Sequence, residues 1–150
     1  MSDSNAELYE HNLAGSNITV VVAGVFYKWV TSMISIQGIA DLVTASAVTD
    51  DFTIQANGGG LYIAAISIDF GGPNAALVQW SVHVNGVMQI PAQAHLVMKG
   101  AAIQEIGPIN AQLQLVPGDV IDLRVTSNGA GDVIRVYHVT FDLMSRVRDK

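Results

Sequence analysis

Residues 111–126 read Ala-Gln-Leu-Gln-Leu-Val-Pro-Gly-Asp-Val-Ile-Asp-Leu-Arg-Val-Thr. Apolar and polar residues alternate on both sides of Pro117-Gly118, as they do in strands that have one buried face and one solvated face. Pro117 presets φ for the second position of a type I or type II turn, and Gly118 accepts the positive φ that a type II turn requires next. The stretch therefore predicts a central hairpin, with a tight turn between two half-buried strands.

Alternating runs of the same kind occur through much of the remaining chain. Leu61–Phe70 would direct Tyr62 and every second residue after it into a core, and Asn85-Gly86 is typical of a type I′ turn between two strands. Counting such runs gives about eight strands, and no segment keeps a helical period. The pattern predicts an all-β sandwich or barrel.

Two of these strands have an outer face that is apolar at one end and polar at the other. In the closing run, Val133–Val147, strict alternation predicts an inner set of Tyr137, Val139, Phe141 and Leu143. An apolar outer surface of this kind suits a strand that another subunit partly covers. The residues predicted to contact other subunits are Leu61, Ile63, Ala65, Ile134 and Val136.

Four segments, taken in chain order, resemble the complement C1q and tumour necrosis factor-like jelly-roll family. They are the Gly-Leu-Tyr strand at Gly60–Ser67, the strand and Asn-Gly turn at Val82–Gly86, the Leu-x-x-Gly-Asp joint at Leu115–Asp119 and the last strand at Val133–Val147. Ile18–Trp29 occupies the place of the family's first strand, so the resemblance spans roughly residues 18–147. It implies an all-β jelly-roll sandwich and a homotrimer.

Composition narrows the classes of partner. The chain has 150 residues, enough for one domain, and no cysteine, which excludes disulfides and thiolate metal sites. A net charge of -6 argues against a nucleic-acid binder, which needs clustered Lys and Arg. Only 13% of residues are charged, against about 25% in ordinary domains. Because Asp69 carries the only formal charge between Asp51 and Lys99, we expect part of this region to be buried against other subunits.

The first seventeen residues are polar and acidic, and they predict a short N-terminal arm, residues 1–17, ahead of a jelly-roll domain, residues 18–150. Three apolar residues could anchor this arm on a neighbouring protein: Leu8, Tyr9 and Leu13. The segment has no apolar run typical of a secretory signal, and no stretch of about 20 apolar residues could span a bilayer. We therefore expect a soluble protein made in the cytoplasm, without a membrane partner.

No catalytic constellation is visible in the sequence. The four histidines, His11, His83, His95 and His138, are scattered, with no spacing that places two of them on one face as metal ligands. Acidic residues occur at turns, where aspartate usually caps backbone donors, although some C1q-like relatives bind calcium. These observations predict that the protein is not an enzyme and has no metal site and no cofactor.

Two classes of function remain open. Short, cysteine-free, glycine-rich chains with these motifs resemble the C1q-like jelly rolls of tailed-bacteriophage virion proteins. That resemblance implies a trimeric capsid decoration (cement) protein, which binds the major capsid protein and stabilises the shell on the virion surface. The alternative is a trimeric tail-fibre tip or another receptor- or carbohydrate-binding adhesion module on the same fold.

Overall fold

The computed structural model describes residues 5–37, 42–100 and 102–147. Within these residues the chain forms eleven strands, and all the pairings between them are antiparallel. The strands are β1 (Asn5–Val20), β2 (Tyr27–Lys28), β3 (Ile34–Gln37), β4 (Val43–Ser46), β5 (Asp51–Ile54), β6 (Gly60–Gly71), β7 (Leu77–Val84), β8 (Val87–Val97), β9 (Gln104–Leu115), β10 (Val120–Ser127) and β11 (Asp132–Val147).

The strands are arranged in two sheets that enclose one core. The five-stranded sheet has the order β3-β1-β11-β6-β9, and the six-stranded sheet has the order β4-β5-β10-β7-β8, with β2 paired to β10. Aromatic rings join the sheets across the core: Phe52 meets Phe141 with ring centroids 4.9 Å apart, and Phe70 meets Trp80 at 5.6 Å, both edge to face. The predicted all-β jelly-roll sandwich is confirmed.

The Pro117-Gly118 turn joins the two sheets. Gly118 has φ +93°, as the predicted turn requires. However, β9 belongs to the five-stranded sheet and β10 to the six-stranded sheet, so the predicted central hairpin was wrong. Two backbone hydrogen bonds pair the turn with the end of β5, from Gly118 N–H to Ile54 O and from Ile54 N–H to Asp119 O. Alternation gives the buried face of each run but not the strand beside which it lies.

The other predicted turn is confirmed. Asn85 and Gly86 both have positive φ, 52° and 80°, as a type I′ turn requires. The turn leads into β8, which is the outermost strand of its sheet and therefore accommodates Pro91, whose missing N–H would break a ladder inside a sheet.

The structure differs from the prediction of a separate N-terminal arm. From Asn5 onward, the segment is strand β1, which pairs with β3 on one side and β11 on the other. Leu8 is fully buried in the core and is not available to a partner. The segment looks polar because Glu10 occupies an inward position, where its Oε1 accepts hydrogen bonds from Trp29 Nε1 at 2.9 Å and Thr31 Oγ1 at 2.5 Å.

The last strand contains a bulge that changes its inner set. The register with β6 shifts between Val136 and His138, so Tyr137 is an extra residue and the alternation reverses there. Ile134 and Val136 consequently point into the core and are fully buried, and the prediction that they contact other subunits was wrong. From Val139 onward, the predicted inner set agrees with the structure.

Candidate subunit-contact surface

The outer face of the five-stranded sheet is the surface formed by side chains that point away from the core. It is defined by half-buried residues on the three central strands: Glu7 and Tyr9 on β1, Leu61, Ile63, Ala65, Ser67 and Asp69 on β6, and Thr140, Asp142 and Met144 on β11.

One end of this face is apolar. Ile63 lies between Met144 of β11 and Gln112 of β9, and Leu61 lies one row further toward the end of the sheet. At the opposite edge, Ile34 and Ile36 of β3 expose nearly half of their surface, 44% and 49%. Apolar side chains therefore lie on β6 and on the β3 edge, and the rows between them pass through Glu7, Asp142 and Thr140.

The sequence-predicted contact residues fall into three places. Leu61, Ile63 and Ala65 lie together on this outer face, and Tyr9, which was predicted to belong to an arm, lies on it as well. Leu13 is 87% exposed at the register shift between His11 and Ser16 of β1. Leu8, Ile134 and Val136 are in the core.

A pair of carboxyl groups interrupts the apolar surface. Glu7 and Asp142 lie directly opposite each other on β1 and β11, and Ala65 is the next residue in the same row. The side-chain hydrogen bond that protonated Glu7 donates to Asp142, burial and the repulsion of the Asp142 charge together raise the pKa of Glu7 to about 7. Near neutral pH Glu7 is therefore partly protonated, and the pair carries less charge than two free carboxylates. Local spacing could not predict this pair, because its members are 135 residues apart.

The outer face of the six-stranded sheet has a different character. Arg124 makes two hydrogen bonds with Asp122, of 2.8 Å to Oδ1 and 3.1 Å to Oδ2, and Asp122 is nearly fully buried. Ser81 and Gln79 of β7 hydrogen-bond with His83 and Gln93, respectively. Most of the polar side chains on this face thus pair with one another, although the buried Thr126 Oγ1 has no hydrogen-bond partner.

His83 is part of this second face and is covered by an aromatic ring. Its imidazole lies 4.9 Å, centroid to centroid, from the ring of Phe26 in the connection before β2. Burial lowers the pKa of His83, and the positive charge of Arg124 lowers it further. The imidazole is therefore held neutral inside the polar network.

A further apolar surface lies at the edge of the six-stranded sheet. β8 has no neighbour on its outer side within that sheet, and Val87 and Ile90 expose 64% and 69% of their surface. No charged residue occurs between Asp69 and Lys99, so this edge carries no formal charge. Exposed edges without charge are the sites where a sheet associates with another chain.

Among the described parts of the chain, no group of three or more His, Cys, Asp or Glu side chains is positioned to hold a metal ion. The described residues contain no helix that could cross a membrane.

No protein-family model matches the chain, and no curated protein sequence matches it. Solved structures do match. A TNF, Eiger from S. frugiperda, aligns over 97% of this chain and 94% of its own, with a TM-score of 0.64 and 13% identity. Murine APRIL aligns over 95% of this chain and 99% of its own, with a TM-score of 0.60 and 11% identity. The fold is therefore a TNF-like jelly roll, and the fold implied by the sequence resemblance is confirmed.

Proposed function

We propose that the chain forms a homotrimer whose subunits meet on the outer face of the five-stranded sheet. The observation that carries this proposal is the contrast between the two outer faces. On one face most polar side chains pair with one another, whereas the other presents Leu61, Ile63 and Met144 together toward one end of the sheet. A surface of this kind gains free energy when another subunit removes it from water.

A closed threefold ring requires two different surfaces on each subunit, because each copy contacts its two neighbours in different ways. The outer face is one of these surfaces. The uncharged β8 edge, with Val87 and Ile90, is the second. In the proposed trimer, the edge of one copy packs on the outer face of the next, and both of the chain's low-charge surfaces are buried together.

The role proposed for this trimer is that of a virion structural protein of the capsid decoration type, bound to the major capsid protein on the shell. This proposal rests on the resemblance to C1q-like jelly rolls of tailed phages. Because β1 is built into the sheet, attachment is assigned to the loop end of the sandwich instead of an arm. Val21, Val22 and Val25 are exposed there, on a turn tied to Ser127 by a hydrogen bond from Gly24 N–H. The role requires no catalysis, cofactor, nucleic acid or membrane.

The oligomeric state is measured by sedimentation velocity from nanomolar to micromolar concentration. We expect a mass of three times 15.9 kDa throughout the micromolar range. A monomer at these concentrations would contradict the proposal.

The virion role has a separate test. The reading frames beside this gene should include a major capsid protein. Shells assembled from that protein should carry this chain to the pellet in a sedimentation assay, and the triple change of Val21, Val22 and Val25 to Ser should abolish co-sedimentation without changing the trimer. A neighbouring tail-fibre shaft, with no binding to shells, would favour the adhesion module.

A further inference from the structure

Two histidines that are far apart in the sequence meet on the five-stranded sheet. His11 of β1 and His138 of β11 are direct cross-strand partners, and Asp69 of β6 lies next in the same row. Their imidazole rings are nearly perpendicular, with an interplanar angle of 75° and centroids 5.6 Å apart. The two Nδ1 atoms face each other at 3.4 Å.

Backbone irregularities make this part of the sheet concave. The register of β1 shifts just after His11, and that of β11 shifts just before His138. The second shift brings Tyr137 to the same cavity as its neighbour His138, which regular alternation would forbid. The cavity has a volume of about 340 Å³, and Leu13 and Ile103 contribute apolar walls. Bulges of this kind are common beside binding sites because they redirect side chains.

A hydroxyl group orients one of the two rings. Nε2 of His138 lies 3.1 Å from Oγ1 of Thr140. When the Nε2 hydrogen is donated to this hydroxyl, the Nδ1 atom of His138 carries the free lone pair and directs it toward His11. Histidines that bind metals are held in the same way, by a hydrogen bond from the ring nitrogen that does not bind the metal.

We propose that His11 and His138 form a binding site for a transition-metal dication of the zinc class, with both Nδ1 atoms as ligands. Zinc–nitrogen bonds are about 2.0–2.1 Å long. An ion at that distance from two nitrogens 3.4 Å apart subtends about 110° between them, which is the angle that tetrahedral zinc prefers. The two Nδ1 atoms therefore already have the separation that a shared zinc ion requires.

The remaining coordination positions belong to water, since no third protein ligand is positioned among the described residues. Nearby charge favours a cation. Asp69 lies opposite His138, and Glu105 lies opposite Asp69 on β9. Imidazole nitrogen suits zinc, copper and nickel, whereas a site for calcium or magnesium would need mostly oxygen ligands. The site stands on the geometry of a single copy and does not depend on the proposed trimer.

Binding is tested by titrating zinc chloride into the full-length protein in a calorimeter, after treatment with EDTA. We expect one ion per chain, and His11→Ala and His138→Ala should each weaken binding at least tenfold. His95→Ala is the matched control, because His95 is an exposed histidine on β8 of the other sheet. The zinc affinity of this variant should equal that of the original chain. Asp69→Asn should weaken binding by a smaller factor.

Two further measurements keep the proposal testable if a variant folds poorly. Circular dichroism reports folding, and His11 is exposed, so His11→Ala should keep the native spectrum. Cobalt(II) added to the original chain should give the visible absorption of a tetrahedral nitrogen-ligated ion, and His11→Ala should lose it. Zinc affinity that is the same in the original chain, His11→Ala and His138→Ala, or no binding at millimolar zinc, would overturn the proposal. Sedimentation velocity with and without EDTA measures trimer formation independently, so a failure of zinc binding can be distinguished from a failure of the trimer to form.

Discussion

The two sheets present similar faces to the core and different faces to the outside. On the six-stranded sheet, outward polar groups pair with one another, and the ion pairs Arg124–Asp122 and Lys28–Asp51 both join residues of its strands. On the five-stranded sheet, the outward groups toward one end are aliphatic, and the nearest charged groups are Glu7 and Asp142, whose contact raises the pKa of Glu7 to about 7. The first face pairs most of its polar groups within a single chain, whereas we propose that a second copy covers the other face.

The largest effect should follow removal of β1, which separates β3 from β11 in the five-stranded sheet. Deletion of residues 2–17 takes away most of this strand, including buried Leu8 and Glu10, so we expect the chain to lose cooperative unfolding altogether. Leu8→Ala, a milder change, should lower the free energy of unfolding by about 2–5 kcal/mol. Both are measured by denaturant titration, and a truncated chain that unfolds at the original midpoint would show that residues 5–17 are an independent arm.

The second effect concerns the apolar face directly. Ile63→Asp places a charge among the apolar side chains of the outer face of the five-stranded sheet, where a partner would have to desolvate it. We expect the apparent dissociation constant of the trimer to rise at least a hundredfold. Thr53→Asp introduces the same side chain at a half-buried outward position on β5 of the other sheet and should leave assembly unchanged. Equal effects of the two substitutions on the sedimentation profile would remove the distinction between the faces.

The third effect concerns the polar face. Arg124→Ala leaves the nearly buried Asp122 without its ion-pair partner, and we expect a loss of about 1–3 kcal/mol in the free energy of unfolding. Lys28→Ala breaks the Lys28–Asp51 pair, and exposed pairs contribute at most about 1 kcal/mol. Neither change should alter the mass of the assembly. Dissociation caused by Arg124→Ala would show that the outer face of the six-stranded sheet also contributes to the contact.

The smallest effect is a difference in pH dependence. The pKa of Glu7 rises from 4.5 in the unfolded chain to about 7 in the folded one, so the folded state binds more protons between these values and stability falls as pH rises through this window. Glu7→Gln keeps a hydrogen-bonding group without the charge. At pH 8 it should stabilise the chain by about 1 kcal/mol, since solvent screens a partly buried pair, and at pH 4 it should have little effect.

His83 on the other sheet has the opposite dependence. Its pKa is lowered from 6.5 in the folded state, so the unfolded chain binds more protons as pH falls below 6.5 and stability is lost in that direction. The Glu7→Gln variant should therefore still lose stability as the pH falls below 6.5. Its stability should no longer fall as the pH rises from 4.5 to 7. Denaturant titrations from pH 4 to pH 8 measure both slopes. An unchanged slope toward pH 7 would mean that the pKa of Glu7 is not raised in the folded chain.

Alternation along single strands predicted most of the core. The inner set of β6 from Tyr62 to Phe70 is buried as expected, because a regular strand turns every second side chain to the same side. The errors lie where this regularity fails. The bulge at Tyr137 reversed the pattern in β11, and the buried Glu10 concealed β1, since its partners Trp29 and Thr31 lie about twenty residues further along the chain.

The contact surface and the side-chain pairs on the five-stranded sheet were predictable only in part. Leu61, Ile63 and Ala65 belong to one strand, so their common face could be predicted from spacing alone. The Glu7–Asp142 and His11–His138 pairs could not, because each joins the beginning of the chain to its last strand. Their proximity depends on which strands are neighbours and in which register, and neither is encoded in the local pattern.

In the proposed trimer, assembly covers the outer face of the five-stranded sheet and leaves the outer face of the six-stranded sheet open. Because the chain has no cysteine, Ala65→Cys on β6 and Thr53→Cys on β5 each provide a single thiol whose alkylation rate reports access. We predict that Ala65→Cys reacts at least tenfold more slowly in the assembled protein than in the Ile63→Asp background, while Thr53→Cys reacts at the same rate in both. Equal reaction rates for Ala65→Cys in the two backgrounds would show that assembly does not cover the outer face of the five-stranded sheet.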